Sequence, residues 1–416
     1  MSGGIVQLVA TGSQDTWLSG KPEISFFRSN YKRYTHYAAA PERQTIQGNP
    51  SAGSVSTIRI EKKGDLLSYM YLTARDPNGA QIPNIDWMQI IDRVELLVGG
   101  QVIDLHDANY DLDVEPVVGA QNWSQRYLNT IGPDNSTKPS NKKSSFYPFK
   151  FFFCKDWSVS LPLVALQYHD VEVRITWANT LGGTLNTPLS GNGNLTYAAL
   201  NYQCWCNFVY LDQAEREYFA QSTHDLLITQ VQRVPIGTNA VQELALAHPV
   251  KFLAFQCVQY GNVYSSTSAD ANFGNQSAAA ANFQLKVQIN GVDVGESRPL
   301  PLWTDTNQYY HTPWGYSANG TETPVLIIPY CLDTSKLQPT GTLNFSRLDT
   351  YRLVVPTGLT TSLSLATPLT ASGLQALAAK QTTSGGLGYL GTPYIYAVNY
   401  NVLRLQKGMG SVLYAN

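Results

Sequence analysis

The second half of this chain carries the same succession of strand types as the first, at an offset of roughly 180 to 190 residues, far longer than a solenoid period. VELLVGGQVID, from Val94 to Asp104, parallels QLKVQINGVDV, from Gln284 to Val294. In each, an alternating strand runs into a two-residue turn ending in Gly. LVALQYHDVEVRI, from Leu163 to Ile175, parallels TLNFSRLDTYRLV, from Thr342 to Val354. Each half then closes on a stripe of alternate residues, Tyr202, Cys204, Cys206, Phe208 and Tyr210 in the first and Tyr394, Tyr396, Val398, Tyr400 and Val402 in the second. Residue identity between the halves is weak. The shared order of elements is the constraint.

Period-two alternation is the mark of a half-buried strand. Val171, Val173, Ile175 and Trp177 share one face, with Glu172, Arg174 and Thr176 on the other. Gly99-Gly100 and Asn290-Gly291 accept the positive φ of primed turns, so each predicts a tight hairpin. Helical signals are few. DQAEREYFAQ (Asp212 to Gln221) has a capping Asp212 with Glu215 three residues on, and Tyr218 and Phe219 are expected to anchor it. A shorter candidate spans Leu374 to Lys380. Long Gly-, Asn-, Ser- and Thr-rich segments, among them His106 to Tyr147 and Pro356 to Pro393, separate the strands. The expectation is an all-β chain of two tandem eight-stranded antiparallel sandwiches with long loops and few short helices. Residues 1-24 form an N-terminal arm, 25-212 the first sandwich, 213-240 a connecting helix and linker, and 241-416 the second sandwich. One large irregular β-domain is the alternative, but 416 residues is long for one.

Charged residues are only 14% of the chain, against roughly 25% in typical globular proteins. A charge-poor exterior suits a protein that buries its outside against neighbours. Net charge is −2, and the basic runs stop at Lys142-Lys143 and Lys32-Arg33. No strong direct contact with nucleic acid is expected, because a duplex binder needs many cations. Cys154, Cys204, Cys206, Cys257 and Cys331 are too few and too odd for a disulfide framework. Most fall in apolar or alternating runs, and Cys204 and Cys206 share one strand face. The first residues lack the basic start and apolar run of a signal peptide. No run of about 18 apolar residues predicts a membrane span.

Candidate chemistry is sparse. His36, His106, His169, His224, His248 and His311 are scattered, with no His-x-His pair for a cupin-type metal site. His169 beside Asp170 reads as a structural hydrogen-bond pair. No phosphate loop, nucleophile elbow or paired-carboxylate motif occurs. No catalytic residue, cofactor or metal is therefore expected. Asn-x-Ser/Thr sequons at Asn122, Asn135, Asn194, Asn275 and Asn319 fall in long loops and are possible glycosylation sites. Asn344 sits in a probable strand and is the weakest. Trp303 and Trp314 could stack on sugars, but are expected to pack the loops.

Several stretches resemble one family, the major capsid proteins of nucleocytoplasmic large DNA viruses, especially those infecting algae. GGIVQLVATGSQDTWLSGKPEISFFRSNYKRYTHYA (Gly3 to Ala38) resembles their N-terminal signature. YPFKFFFCKDWSVSLPLVALQYHDVEVRI (Tyr147 to Ile175) is similar to their Phe-rich strand pair, and LDQAEREYFAQSTHDLLITQVQ (Leu211 to Gln232) to their interdomain helix and strand. NFSRLD (Asn344 to Asp349) and YAVNYNVLRLQKGMGSVLYAN (Tyr396 to Asn416) resemble the matching motifs of the second domain. The loops at Gln121 to Ser145 and Thr360 to Leu390 match nothing in that pattern. The resemblance implies two jelly rolls and a homotrimeric, pseudo-hexagonal capsomer of an icosahedral shell. It also implies neighbouring capsomers and minor capsid proteins as partners, an internal membrane nearby, and assembly in the host cytoplasm. Met1 to Gly20 is expected at the inner face or capsomer edge. A carbohydrate-binding attachment protein and a cupin-like enzyme are the competing functions; the first would stay monomeric, the second would carry a stoichiometric metal.

Overall fold

The computed structural model describes residues 3–82, 85–87, 90–119, 143–182, 196–256, 284–313, 325–355, 374 and 394–414. The chain divides into two units, Met1–His36 and Tyr37–Asn416. The first holds two short helices, Gly3–Val9 and Asp15–Ser19, and its described side chains are all exposed, Trp17 and Phe27 among them. Helices this short gain little from their own hydrogen bonds.

The second unit is a pair of sandwiches. The first is built from β1 (Tyr37–Gln44), β2 (Val55–Arg59), β3 (Leu66–Arg75), β4 (Ile91–Val98), β5 (Gln101–Asp107), β6 (Phe146–Pro148), β7 (Val171–Trp177) and β8 (Asn201–Leu211). Its sheets run β1-β8-β3-β6 and β2-β7-β4-β5, all antiparallel. The second is built from β9 (His224–Pro235), β10 (Val241–Glu243), β11 (Pro249–Gln256), β12 (Gln284–Ile289), β13 (Val292–Asp293), β14 (Val325–Pro329), β15 (Tyr351–Val354) and β16 (Tyr394–Gln406). Its sheets run β9-β16-β11-β14 and β10-β15-β12-β13. Every strand thus has its counterpart eight strands later, in the double-sheet wiring of a jelly roll. A last strand, β17 (Met409–Val412), pairs with β16.

The repetition extends to register. Between β8 and β3 the pairing slips: Phe208 faces Leu67 and Asn207 faces Tyr69, leaving out Ser68. Between β16 and β11 it slips at the same place: Asn399 faces Val250 and Val398 faces Phe252, leaving out Lys251. The short strands Leu161–Pro162 and Leu343–Asn344 pair with Leu67 and Val250 respectively and give the same alignment. The hairpin turns form as the sequence predicts. Gly99 and Gly100 have φ of 59° and 82°, Asn290 and Gly291 49° and 80°.

Three apolar clusters hold the unit together. One fills the first sandwich, one fills the second, and the third lies between them. The inward face of β7 is Val171, Val173, Ile175 and Trp177, all fully buried. Cys204 and Cys206 point inward together from β8. Cys154, Cys204, Cys206 and Cys331 are free and buried, and Cys257 lies outside the described residues. β16 departs from the sequence reading. Its stripe Tyr396 and Val398 belongs to the cluster between sandwiches, whereas Ile395 and Ala397 face the second core. Farther along, Leu403 and Leu405 enter the first core. Alternation tells which residues share a face, but here both faces are covered.

Asp212 caps the helix Gln213–Gln221 by accepting from Gln213 N at 2.9 Å. Tyr218 does not anchor it: this side chain is 61% exposed, and Phe219 is half-buried. Arg216 instead pairs with Asp65 at 3.0 Å, and both rings lie against His224. His224–Pro235, within the expected linker, is the edge strand β9, paired along its whole length with β16. In the segment expected to be irregular after His106, a π-type turn Tyr110–Val114 leads into the helical turn Glu115–Val118. The second sandwich repeats this with Leu302–Thr306 and Asn307–His311. Of the candidate helix at Leu374 to Lys380, Leu374 is buried in a turn, and the rest lies outside the described residues.

Candidate functional site: the seam between the sandwiches

The two sandwiches meet where β5 and the following helical turns of the first lie against the outer sheet face of the second. Tyr110, Val114 and Val118 pack on Phe252, Ala254, Val325, Ile327, Tyr396 and Val398. Burying one large apolar side chain stabilises by about 1.5–3 kcal/mol, so this patch is the main adhesive of the pair. Its directionality comes from carboxylates. Asp104 Oδ1 accepts from Val231 N at 2.9 Å. Asp107 Oδ1 accepts from Tyr110 N at 3.0 Å, which starts the π-type turn. Asp107 Oδ2 reaches across the seam, accepting from Arg233 Nη1 at 3.1 Å and the Tyr396 hydroxyl at 2.9 Å. Gln230 Nε2 donates to Ile103 O, and Thr334 Oγ1 to Val118 O.

Behind these contacts sits a buried ionic knot. His106 Nε2 lies 2.8 Å from Asp104 Oδ2, and Nδ1 lies 3.0 Å from Asp111 Oδ1, close enough to pair though off the line of a hydrogen bond. Burial favours the neutral ring, but the two carboxylates outweigh it and lift the His106 pKa to about 10. The imidazolium is thus a structural cation. Tyr147 donates its hydroxyl to Asp111. Burial raises the pKa of Asp107 despite its donors. Burial also opposes ionisation of Glu115, but Lys150, at 2.7 Å, and Lys155 overcome it and hold the carboxyl low. Each of these groups is committed to a partner within the fold.

Beside the seam opens a cleft of about 720 Å³. Tyr69, Tyr71 and Trp205 form one wall, on the outer sheet face of the first sandwich; Leu227, Phe252 and Val398 of the second form the other. Lys251 lies in it, with Nζ donating to Lys336 O at 2.9 Å and placed over the Tyr400 ring. Burial lowers its pKa to about 8.

The residues singled out by sequence have these places. His169 does not pair with Asp170. Its Nδ1 meets the backbone of Gly410, 2.9 Å from the carbonyl oxygen, while Asp170 pairs with Arg59. Both residues precede β7 and lie outside any strand, so the expected strand position does not hold for them. Trp303 is buried in the second core, with Nε1 donating to Arg298 O at 3.3 Å. Trp314 and the sequons at Asn122, Asn135, Asn194, Asn275 and Asn319 lie outside the described residues. Asn344 uses its side chain to cap the turn Phe345–Arg347, accepting from Ser346 N at 3.1 Å. Among the described residues, no group of three or more His, Cys, Asp or Glu is placed to hold a metal. No described helix is long and apolar enough to cross a membrane. Sequence reasoning missed the seam. Its one signal was the density of acids in HDANYDLDVE, from His106 to Glu115.

Comparison with known proteins gives the following. Residues 25–212 match the model of the major capsid protein N-terminus, and residues 215–411 that of the large eukaryotic DNA virus major capsid protein. The chain is 31% identical to a major capsid protein of Paramecium bursaria Chlorella virus 1 and 30% identical to that of Pyramimonas orientalis virus, each over the whole of both chains. It superposes on a chain of the quasi-atomic model of the PBCV-1 virus capsid with a TM-score of 0.65 and 25% identity, covering 94% of this chain and 100% of that one. The Faustovirus major capsid protein shares the fold, with a TM-score of 0.53 at 12% identity over 95% of this chain and 94% of that one.

Proposed function

The chain belongs to the major capsid proteins of large eukaryotic DNA viruses, structural parts of the virion shell, and on that premise we propose that three copies close into a pseudo-hexagonal capsomer. The observation that carries this is the duplication itself. Two sandwiches share wiring, register and even the position of a bulge. Three such chains supply six near-equivalent bodies, so a threefold ring has the outline of a hexagon and tiles a shell from one polypeptide. The low charge of 14% suits surfaces that end buried against neighbours.

Within this reading the partners are further capsomers and minor capsid proteins, with an internal membrane nearby and assembly in the host cytoplasm. At least one loop sequon carries a glycan. Asn344 is unsuited, because its side chain already closes a turn. Native mass spectrometry with electron microscopy of the purified protein tests the capsomer. Three chain masses and a hexagonal outline are expected, and a protein that stays at one chain mass at micromolar concentration would sink the proposal.

A further inference from the structure

The two sandwiches are alike in wiring but unlike in what covers their outer sheet faces. In the second, the face bearing Phe252, Ala254, Ile327 and Tyr396 is buried under Tyr110, Val114 and Val118 of the first. The matched registers equate Tyr69 with Phe252, Tyr71 with Ala254, Pro148 with Ile327 and Trp205 with Tyr396. The second-sandwich members of these pairs are at most 3% exposed. Tyr69, Tyr71, Pro148 and Trp205 are only half-buried, and all four line the cleft.

The covering element is duplicated as well. In each sandwich a five-residue π-type turn and then a helical turn stand between the fifth and sixth strands. Counting from the first residue of each π-type turn, Val117 and Val118 correspond to Tyr309 and Tyr310. Val118 is buried on the second sandwich and Val117 packs beside it. Tyr309 and Tyr310 are 74% and 71% exposed, with their rings edge to face. The matched strands also carry an arginine at the same register position. Arg233 faces Tyr396 across β9 and β16 and bridges the seam to Asp107; Arg43 faces Trp205 across β1 and β8, and its side chain is exposed.

We infer that Tyr309 and Tyr310 of a second copy cover the Tyr69, Tyr71 and Trp205 face, repeating between chains the contact that Val117 and Val118 make within one. The inference rests on the capsomer reading and adds the residues that join its subunits. The contact is heterologous, a knob from one copy on a sheet face of the next, and three repeats close the ring. Tyrosine is suited to it, since it offers a large flat area against aromatic partners and few rotamers to freeze.

The test uses the full chain, followed by native mass spectrometry. Y309A/Y310A loses the knob and keeps the face; W205A weakens the face and keeps the knob. Each alone is expected to fall from three chain masses to one, with the circular dichroism of the wild type. Mixed, they can form one sound contact but no closed ring, so a species of two chain masses is expected. If the wild type is a trimer and Y309A/Y310A remains one, this interface is wrong while the capsomer stands. A mixture that stays at one chain mass overturns it too. A wild type found only at one chain mass removes both.

Discussion

The Tyr396 hydroxyl of β16 lies 2.9 Å from Asp107 Oδ2 of β5, so the eighth strand of the second sandwich is tied to the fifth strand of the first through one oxygen. That oxygen also accepts from Arg233 at 3.1 Å. Asp107→Ala leaves a largely buried guanidinium without its carboxylate and is expected to cost about 3–5 kcal/mol. Tyr396→Phe removes one neutral donor and is expected to cost about 0.5–1.5 kcal/mol. Urea unfolding gives both values. Equal losses for the two variants would show that the ion pair across the seam contributes nothing.

His106 predicts a pH dependence. Its folded pKa of about 10 stands above the ordinary 6.5, so the folded state holds the proton more tightly. The resulting stabilisation is complete below about pH 6.5 and is lost as pH rises toward about 10. His106→Gln lacks the cation. Its stability deficit relative to wild type is expected to be largest near pH 6.5 and to shrink steadily up to pH 10, as measured by denaturant midpoints. A deficit independent of pH would contradict the assignment.

Lys251 works in the opposite sense. Burial takes its pKa from 10.5 to about 8. The unfolded chain therefore binds this proton more tightly, and folding becomes more favourable as pH rises between those values. Lys251→Met fills the same space without a charge. At pH 7 it is expected to gain about 1 kcal/mol, net of the lost bond to Lys336 O. The gain is lost as pH rises above about 8, and by about pH 10.5 the variant is the less stable protein, since only the missing bond to Lys336 O remains. Thermal melts of both proteins at pH 7 and pH 10 measure it, and a variant less stable at pH 7 would refute it.

Gly99 and Gly100 both have positive φ, yet their substitutions are expected to differ. A Cβ on Gly100 meets nothing within 4 Å, whereas one on Gly99 would run into the His169 ring. Gly100→Ala carries only the left-handed backbone penalty, about 1–2 kcal/mol. Gly99→Ala adds a clash that pushes His169 off Gly410. It is expected to lower the melting temperature by at least twice as much. Equal effects would mean that the ring gives way freely.

Local chemistry was legible from sequence, and long-range packing was not. The Gly99-Gly100 and Asn290-Gly291 turns, the buried face of β7 and the order of strands followed from turn residues and period two. Tyr396 and Val398 were correctly grouped, but their covering was invisible, because Tyr110 and Val118 lie far away in the chain. The partners of Asp107 show why: Arg233 and Tyr396 are 126 and 289 residues distant. The stretch His106 to Glu115 has the polarity of a loop, and only the fold reveals that Asp107, Asp111 and Glu115 are buried. Adjacency points from His169 to Asp170, whereas its partner Gly410 is 241 residues on.

β16 is translated after the other fifteen strands of the duplicated pattern, and it supplies residues to all three apolar clusters: Ile395 and Ala397, Tyr396 and Val398, Leu403 and Leu405. The second core therefore stays open until synthesis reaches this strand, and the first lacks two of its buried leucines until then. A polypeptide interrupted before Tyr394 lacks the strand that joins β9 to β11, so the outer sheet of its second body has no continuous ladder.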